Sequence, residues 1–246
     1  MKLLEKTALV TGSSQGLGRV IAITLARAGA HVMVNCHSNL TRAQHVVDEI
    51  VQLGGQATPC CCDVADEQAV AAMFANVGPV DILVNNARID PYFRTPEDTD
   101  AQWFNRVLQV NLTGAYNCSL AFFEQAKARH YGRIVNVSSV RSFIPAEMPM
   151  IAYGVSKLGM HGLTRAFAAN GAPYGITANT VAPGMILTEN IDKRLTPEMK
   201  ARESAKIPLG RGATCEEIAD AVLFLINNAY ITGETINING GMYYAP

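Results

Sequence analysis

The chain has 246 residues, 49% of them hydrophobic and 17% charged, a composition that fits a folded globule and argues against a disordered chain. Its 20 Lys plus Arg against 21 Asp plus Glu leave a formal net charge of −1, so no global field favours nucleic acid or an anionic membrane. The length suits one large α/β domain, and no stretch approaches the roughly 18 apolar residues of a membrane span.

Residues 1–11 carry Lys2, Glu5 and Lys6 before a short apolar run, too polar and too short for a signal peptide. The run at 7–11 reads as a first strand. A glycine loop follows, then a helix over 16–28, whose Leu17, Val20, Ile21, Leu25 and Ala28 recur at helical spacing and which Gly29 ends. A strand is expected at 31–35 and a helix at 41–53. Strands at 57–61 and 81–85 flank a helix near 66–76. One long helix is expected over 100–129, a strand at 132–139, a helix over 152–169 and a strand at 177–181. A polar, proline-bounded excursion spans 185–208. A helix at 216–226 and a strand at 235–239 close the chain. Strands alternating with helices imply a parallel sheet covered on both faces. The expected fold is a Rossmann-type doubly wound α/β sheet, residues 1–246 forming a single domain.

The six cysteines are Cys36, Cys60, Cys61, Cys62, Cys118 and Cys215. Adjacent cysteines on a strand point to opposite faces and chelate poorly, and no CxxC pair with partner histidines occurs. They read as reduced, mostly buried thiols of a cytoplasmic protein, with no metal site.

Two constellations carry chemistry. Gly12-Ser13-Ser14-Gln15-Gly16-Leu17-Gly18 joins the first strand to the first helix. A helix N-terminus has unpaired N–H groups and partial positive charge, and glycines let a pyrophosphate approach the backbone. The bland alternative is a tight turn without a ligand. Where strand two ends, the acidic residue that usually holds ribose hydroxyls is missing. His37, Ser38 and Asn39 stand there, with Arg42 close by, which favours NADP(H) over NAD(H); the alternative is that Ser38 and Asn39 simply cap the next helix.

The second constellation is Tyr153 and Lys157, one helical turn apart on one face. A free tyrosine has a pKa of about 10, and a neighbouring cation favours its phenolate. Taken alone the pair is a common surface motif. Its company raises it: Ser138-Ser139 ends the fifth strand and Asn85-Asn86-Ala87 the fourth, both on the carboxyl edge where such sheets bind ligands. A serine there can stabilise a developing alkoxide. Asn111 lies inside a helix, where asparagine is not favoured. The chemistry indicated is hydride transfer between nicotinamide and a ketone or secondary alcohol. The alternatives are a dinucleotide-sensing protein without catalysis and a dehydrogenase of a sugar or other small anionic alcohol.

These motifs, in this order over essentially the whole chain, resemble the single-domain short-chain dehydrogenase/reductases, and most of all the β-ketoacyl-acyl carrier protein reductases and their relatives, whose ending is similar to 230–242 here. The resemblance implies a tetrad of Asn111, Ser139, Tyr153 and Lys157. Tyr153 would be the acid/base, Lys157 would tune it and hold the nicotinamide ribose, Ser139 would orient the substrate oxygen, and Asn111 would hold a water through a main-chain group. It implies cofactor contacts from residues 12–18, from Asp63 and Val64, from Asn85 and Ala87, and from the segment Pro183, Gly184, Ile186 and Thr188. Ser139, Arg141, Tyr153 and Met185 would meet the substrate. It also implies a homotetramer built on the long helix to Arg129, the Tyr153 helix and the tail at 240–246.

Two departures stand out. Arg88 replaces the glycine of the family's NNAG segment, at a cost of about 1 kcal/mol if that position needs a positive φ. Tyr174 replaces a basic residue associated with the acyl carrier protein, leaving Arg129 and His130 nearby. Arg88, Arg94 and Arg141 follow strands four and five. They suggest an anionic substrate, or else three solvated arginines. Phe143, Met148, Met150 and Met185 are expected to line an apolar part of the site.

Overall fold

The computed structural model describes residues 3–244. Seven parallel strands form one sheet: β1 (Thr7–Val10), β2 (His31–Cys36), β3 (Gln56–Cys61), β4 (Ile82–Asn85), β5 (Gly132–Val137), β6 (Ile176–Pro183) and β7 (Thr235–Ile238), in the order β3-β2-β1-β4-β5-β6-β7. The order reverses between β1 and β4, and a crevice opens there above the strand ends. The expected Rossmann-type sheet is present.

The strands form where apolar runs can be buried on both faces. Every residue of β5 and β6 is buried. β3 is an edge strand, exposed at alternate positions near its start, and it contains Pro59. On one face Ile21 and Leu25 of α1 (Gly16–Arg27), Val46 and Ile50 of α2 (Leu40–Gln52) and Ile218 and Val222 of α9 (Cys215–Asn227) pack over Val32, Val34 and Val84. On the other, Met73 of α3 (Glu67–Val77), Phe122 of α5 (Gly114–Arg129) and Phe167 of α6 (Ile151–Gly171) cover Leu9, Leu83 and Ile134.

Two expectations need correction. The long helix over 100–129 is not continuous: α4 (Asp100–Leu108) runs into a π-helical turn, Gln109–Thr113, before α5 begins. The excursion at 185–208 holds two short helices, α7 (Glu189–Arg194) and α8 (Pro197–Ser204). Of the segments expected at the chain ends, residues 1, 2, 245 and 246 lie outside the described ones. No helix among the described residues is long and apolar enough to cross a membrane.

Candidate active site

The strand ends and the loops after them enclose a cleft of about 1530 Å³. Its geometry follows from the glycine loop at one end and from α6 at the other.

The loop between β1 and α1 is held from beneath. Gly12 has φ +62°, and a Cβ there would meet Ala87 Cα at 2.9 Å; a Cβ on Gly18 would meet the Gly12 carbonyl oxygen at 2.6 Å. Both positions therefore require glycine. Asn86 Nδ2 donates to the carbonyls of Thr11 (2.8 Å) and Gly12 (3.2 Å), and Asn35 Oδ1 accepts from Gly12 N at 3.0 Å. Gly16 has φ +55° with open space around it, and Gln15, the residue before α1, makes no side-chain cap. The first turn of α1 thus presents N–H groups to the cleft with nothing of its own covering them, an arrangement suited to a phosphate.

Ser14, Gln15, Gly16, Leu17 and Gly18 line the cleft with Gly12, but Ser13 does not. Ser13 is a correction: it is wholly buried, its hydroxyl donating to Val10 O at 2.7 Å and its N–H to Asn35 O at 2.9 Å. Asn85 is another. It is 2% exposed, bonded through Nδ2 to Ser119 and Asn136, and its neighbours Asn86 and Ala87 face the cleft instead. At the end of β2, His37, Ser38 and Asn39 line the cleft with Arg42. Asn39 caps α2 by accepting from Arg42 N at 2.9 Å, His37 lies 3.3 Å from Asp63, and the Arg42 guanidinium donates to Gln15 Oε1 at 2.7 Å. Asp63 and Val64 line the same end, and Pro183, Gly184, Met185, Ile186 and Thr188 form the opposite wall.

At the other end Tyr153 and Lys157 face the cleft from α6, the Lys157 Nζ 5.7 Å from the centroid of the Tyr153 ring. Lys157 is 1% exposed and donates to Val137 O at 2.7 Å. Burial, helped by the Arg88 cation, pushes its pKa down to about 7. The two serines divide cleanly. Ser138 Oγ donates to Lys157 O at 2.8 Å and lies 2.9 Å from His161 Nε2, so it is built into the fold. Ser139 Oγ only accepts, from Arg141 N at 3.2 Å, which leaves its proton available to the cleft.

Asn111 does not reach the cleft. It is completely buried in the π-helical turn, accepting from Ile89 N at 2.8 Å and donating to Ser156 Oγ at 3.1 Å; Ser156 in turn donates to Tyr153 O at 2.8 Å. Its side chain braces the start of α6 against the segment after β4. Two further braces are not apparent from sequence. His161 contacts Ser138 and Ser142 through Nε2 and Thr235 through Nδ1, and burial pushes its pKa down to about 4. Asn35 joins β2 to the glycine loop. The available signal was polar residues inside buried elements: His161 lies one turn beyond Lys157 on α6.

Arg88 is not among the described non-glycine residues with positive φ, so it carries no left-handed strain; it pairs with Asp90 at 3.2 Å. Arg94 pairs with Asp100 and does not line the cleft. Arg141 lines the cleft two residues past Ser139, and no acidic partner for it occurs among the described residues. Met150 and Met185 line the cleft, whereas Phe143 stacks on Tyr243 at 4.6 Å and Met148 is 80% exposed.

Residues 6–199 match the family model of the short chain dehydrogenases. An acetoacetyl-CoA reductase of Rhizobium meliloti is 38% identical, the alignment covering 98% of this chain and all of that protein. Among solved structures, a 3-oxoacyl-acyl carrier protein reductase from Brucella melitensis superposes with a TM-score of 0.90 at 32% identity, covering 99% of this chain and 93% of that one. A gluconate 5-dehydrogenase from Burkholderia cenocepacia, solved with NADP and tartrate, gives a TM-score of 0.85 at 31% identity over 98% of this chain and 96% of its own.

Proposed function

The chain belongs to the short-chain dehydrogenase family and is a nicotinamide-dependent oxidoreductase, and from that premise we propose that Ser139, Tyr153 and Lys157 reduce a 3-oxoacyl thioester or similar small ketone with NADPH. Residues 1–246 act as one catalytic domain on this reading. The observation that carries it is the meeting, in one cleft, of an uncapped helix N-terminus on a glycine loop with a buried lysine, a tyrosine one turn away and a serine hydroxyl whose proton is free.

The residues suit a dinucleotide. The first turn of α1 would hold its pyrophosphate, Asp63 and Val64 its adenine, and Tyr153 and Lys157 its nicotinamide ribose. When bound, the nicotinamide supplies or takes the hydride. The chain manages the oxygen. Ser139 donates its free proton to the carbonyl oxygen, which becomes more negative as the bond order falls. Tyr153 delivers the phenolic proton to the same atom, leaving the alcohol. Lys157, anchored on Val137 O, would in its protonated form, which the anion itself favours, stabilise the resulting phenolate. Asn111 contributes by fixing the entry to α6, with the water expected at its main-chain group completing the route from Lys157 to solvent. In the reverse direction each proton moves the other way.

NADPH is preferred over NADH on this reading. No residue at the end of β2 is acidic, and Arg42 lines the cleft there, while His37 is paired with Asp63 in the loop after β3. Six free thiols accord with a reducing compartment such as the cytoplasm. A tetramer accords with the exposed apolar residues Tyr116 and Leu120 on α5 and Val155 and Leu158 on α6; mass measurement in solution tests it. A carrier protein is not the favoured donor of the acyl group. Tyr174 is packed against Phe123 and His130, and Arg129 is held by Val80 O and Asp81, so neither offers the basic contact. A second reading, a small anionic alcohol or keto acid, is favoured by one observation: Arg141 lines the cleft with no acidic partner among the described residues.

The test is NADPH oxidation with acetoacetyl-CoA and a panel of paired neutral and carboxylated ketones. Tyr153→Phe should lower kcat by roughly 10²–10⁴-fold, the contribution of a positioned acid. Ser139→Ala should lower it far more than Ser138→Ala. A Tyr153→Phe enzyme as fast as the parent would remove the proposal. A preference for carboxylated ketones that Arg141→Ala abolishes would select the second reading.

A further inference from the structure

β2 and β3 end together at the adenosine end of the cleft, and each ends in a cysteine. Cys36 and Cys61 are the last residues of their strands and are partners in the parallel register. Register partners on adjacent strands point to the same face. Neighbouring strands lie about 4.8 Å apart, inside the Cα separation of roughly 4.4–6.8 Å that a disulfide spans. The Cys61 side chain lies close enough to be among the groups that raise the pKa of the Cys36 thiol. Because both positions close their strands, little of the sheet must shift for the sulfurs to meet.

The other nearby cysteines are directed elsewhere. Cys60 turns to the opposite face, its sulfur 3.9 Å from Met73, and Cys62 is buried in the same layer. Cys61 is exposed and donates to His37 O at 3.2 Å. Cys36 is 2% exposed and forms part of the cleft wall, at the position where dinucleotide folds commonly carry the residue that holds the adenosine ribose. It follows Asn35, which fixes the glycine loop.

We propose that Cys36 and Cys61 are a redox-modification site, a reversible disulfide that weakens dinucleotide binding. The proposal rests on the reading of the cleft as a dinucleotide site. The oxidant is a hydroperoxide. The exposed Cys61 thiolate attacks the peroxide oxygen, the O–O bond breaks, and water leaves after taking the thiol's proton, giving a sulfenic acid. Cys36 sulfur then attacks Cys61 sulfur, the S–O bond breaks, and the hydroxide leaves as a second water with the Cys36 proton. Two thiols are oxidised by two electrons and one hydrogen peroxide is reduced to two waters. The order of events follows from access: burial and the Cys61 neighbour push the Cys36 thiol up to about 11, so it resolves and does not begin the reaction. The bond draws Cys36 toward the outer surface and fixes the turn 36–39, which carries His37 and Ser38.

The full chain is treated with hydrogen peroxide, quenched, and divided between peptide mapping and titration with NADPH by fluorescence. The expected result is a peptide linking Cys36 to Cys61 and a Kd for NADPH raised about tenfold, the worth of one ordinary hydrogen bond. Dithiothreitol should reverse both. Cys61→Ser should bind NADPH as the parent does and keep that affinity after peroxide. Three results would overturn the proposal: no Cys36–Cys61 peptide, an unchanged Kd in the cross-linked protein, or an equal loss of affinity in Cys61→Ser. If the reduced parent binds neither NADPH nor NADH, the functional reading fails and the regulatory claim with it, while the peptide map still decides whether the disulfide forms.

Discussion

Lys157 is a buried amine whose one hydrogen-bond acceptor among the described residues is Val137 O, and this has a measurable cost. In the unfolded chain the amine titrates near 10.5; in the folded protein it titrates near 7. Below pH 7 both states carry the proton and the folded state bears the whole penalty, on the order of 5 kcal/mol. Between pH 7 and 10.5 the unfolded chain binds the proton and the folded protein does not, so stability rises with pH across that window. Lys157→Met without cofactor should therefore unfold at higher urea than the parent at pH 6, with a gain that shrinks by pH 9, even as kcat collapses. The neighbouring serines differ in what their hydroxyls touch: Ser138 is bonded to Lys157 O and His161, and Ser139 to Arg141 N. Ser138 and Ser142 both donate to carbonyls, so the His161 proton sits on Nε2 and Nδ1 accepts from Thr235. The Ser138 proton is taken by Lys157 O, whereas Ser139 Oγ accepts from Arg141 N, and this difference is why the proposed role falls to Ser139. Sequence reasoning could not anticipate Ser13, whose hydroxyl is claimed by the last carbonyl of β1.

At the scale of elements, the informative feature is the π-helical turn between α4 and α5. It places Asn111 between the segment after β4 and the start of α6, where its two side-chain bonds tie both to one point. Asn111→Ala would leave the half-buried Ile89 N–H without its acceptor. The expected loss is roughly 1–3 kcal/mol in a urea titration, together with a lower kcat from a loosened Tyr153. An unusual asparagine inside a helix was visible in the sequence, but the turn was not. An extra residue in one turn rotates the apolar stripe without leaving a proline or polar break to mark it. Strands β1, β2, β4, β5 and β6 were legible because burial on both faces leaves unbroken apolar runs. Helices α7 and α8 were not, since they are short, polar and show little apolar period. The glycine loop was legible because backbone demands select residue types locally. The braces Asn35 and Asn86 were not, because their partners lie 23 and about 75 residues away in the chain.

Across the whole molecule, strand order sets where chemistry can occur. The reversal between β1 and β4 opens the cleft between loops from both halves of the sheet, so a dinucleotide lying in it would bridge the glycine loop and α6. Binding should then stabilise the entire fold. NADPH at a hundred times its Kd should add about 2.7 kcal/mol, and NADH at the same concentration less. A thermal melt with each nucleotide checks this, at roughly 2–4 °C per kcal/mol for a chain of this size. A larger shift with NADH would reverse the cofactor preference. The sheet must also end somewhere, and at β3 it ends on a strand with Pro59 in its middle. A proline has no N–H to offer a strand arriving from another molecule. At the high concentrations met during synthesis, that missing donor makes the sheet's open margin a poor template for aggregation.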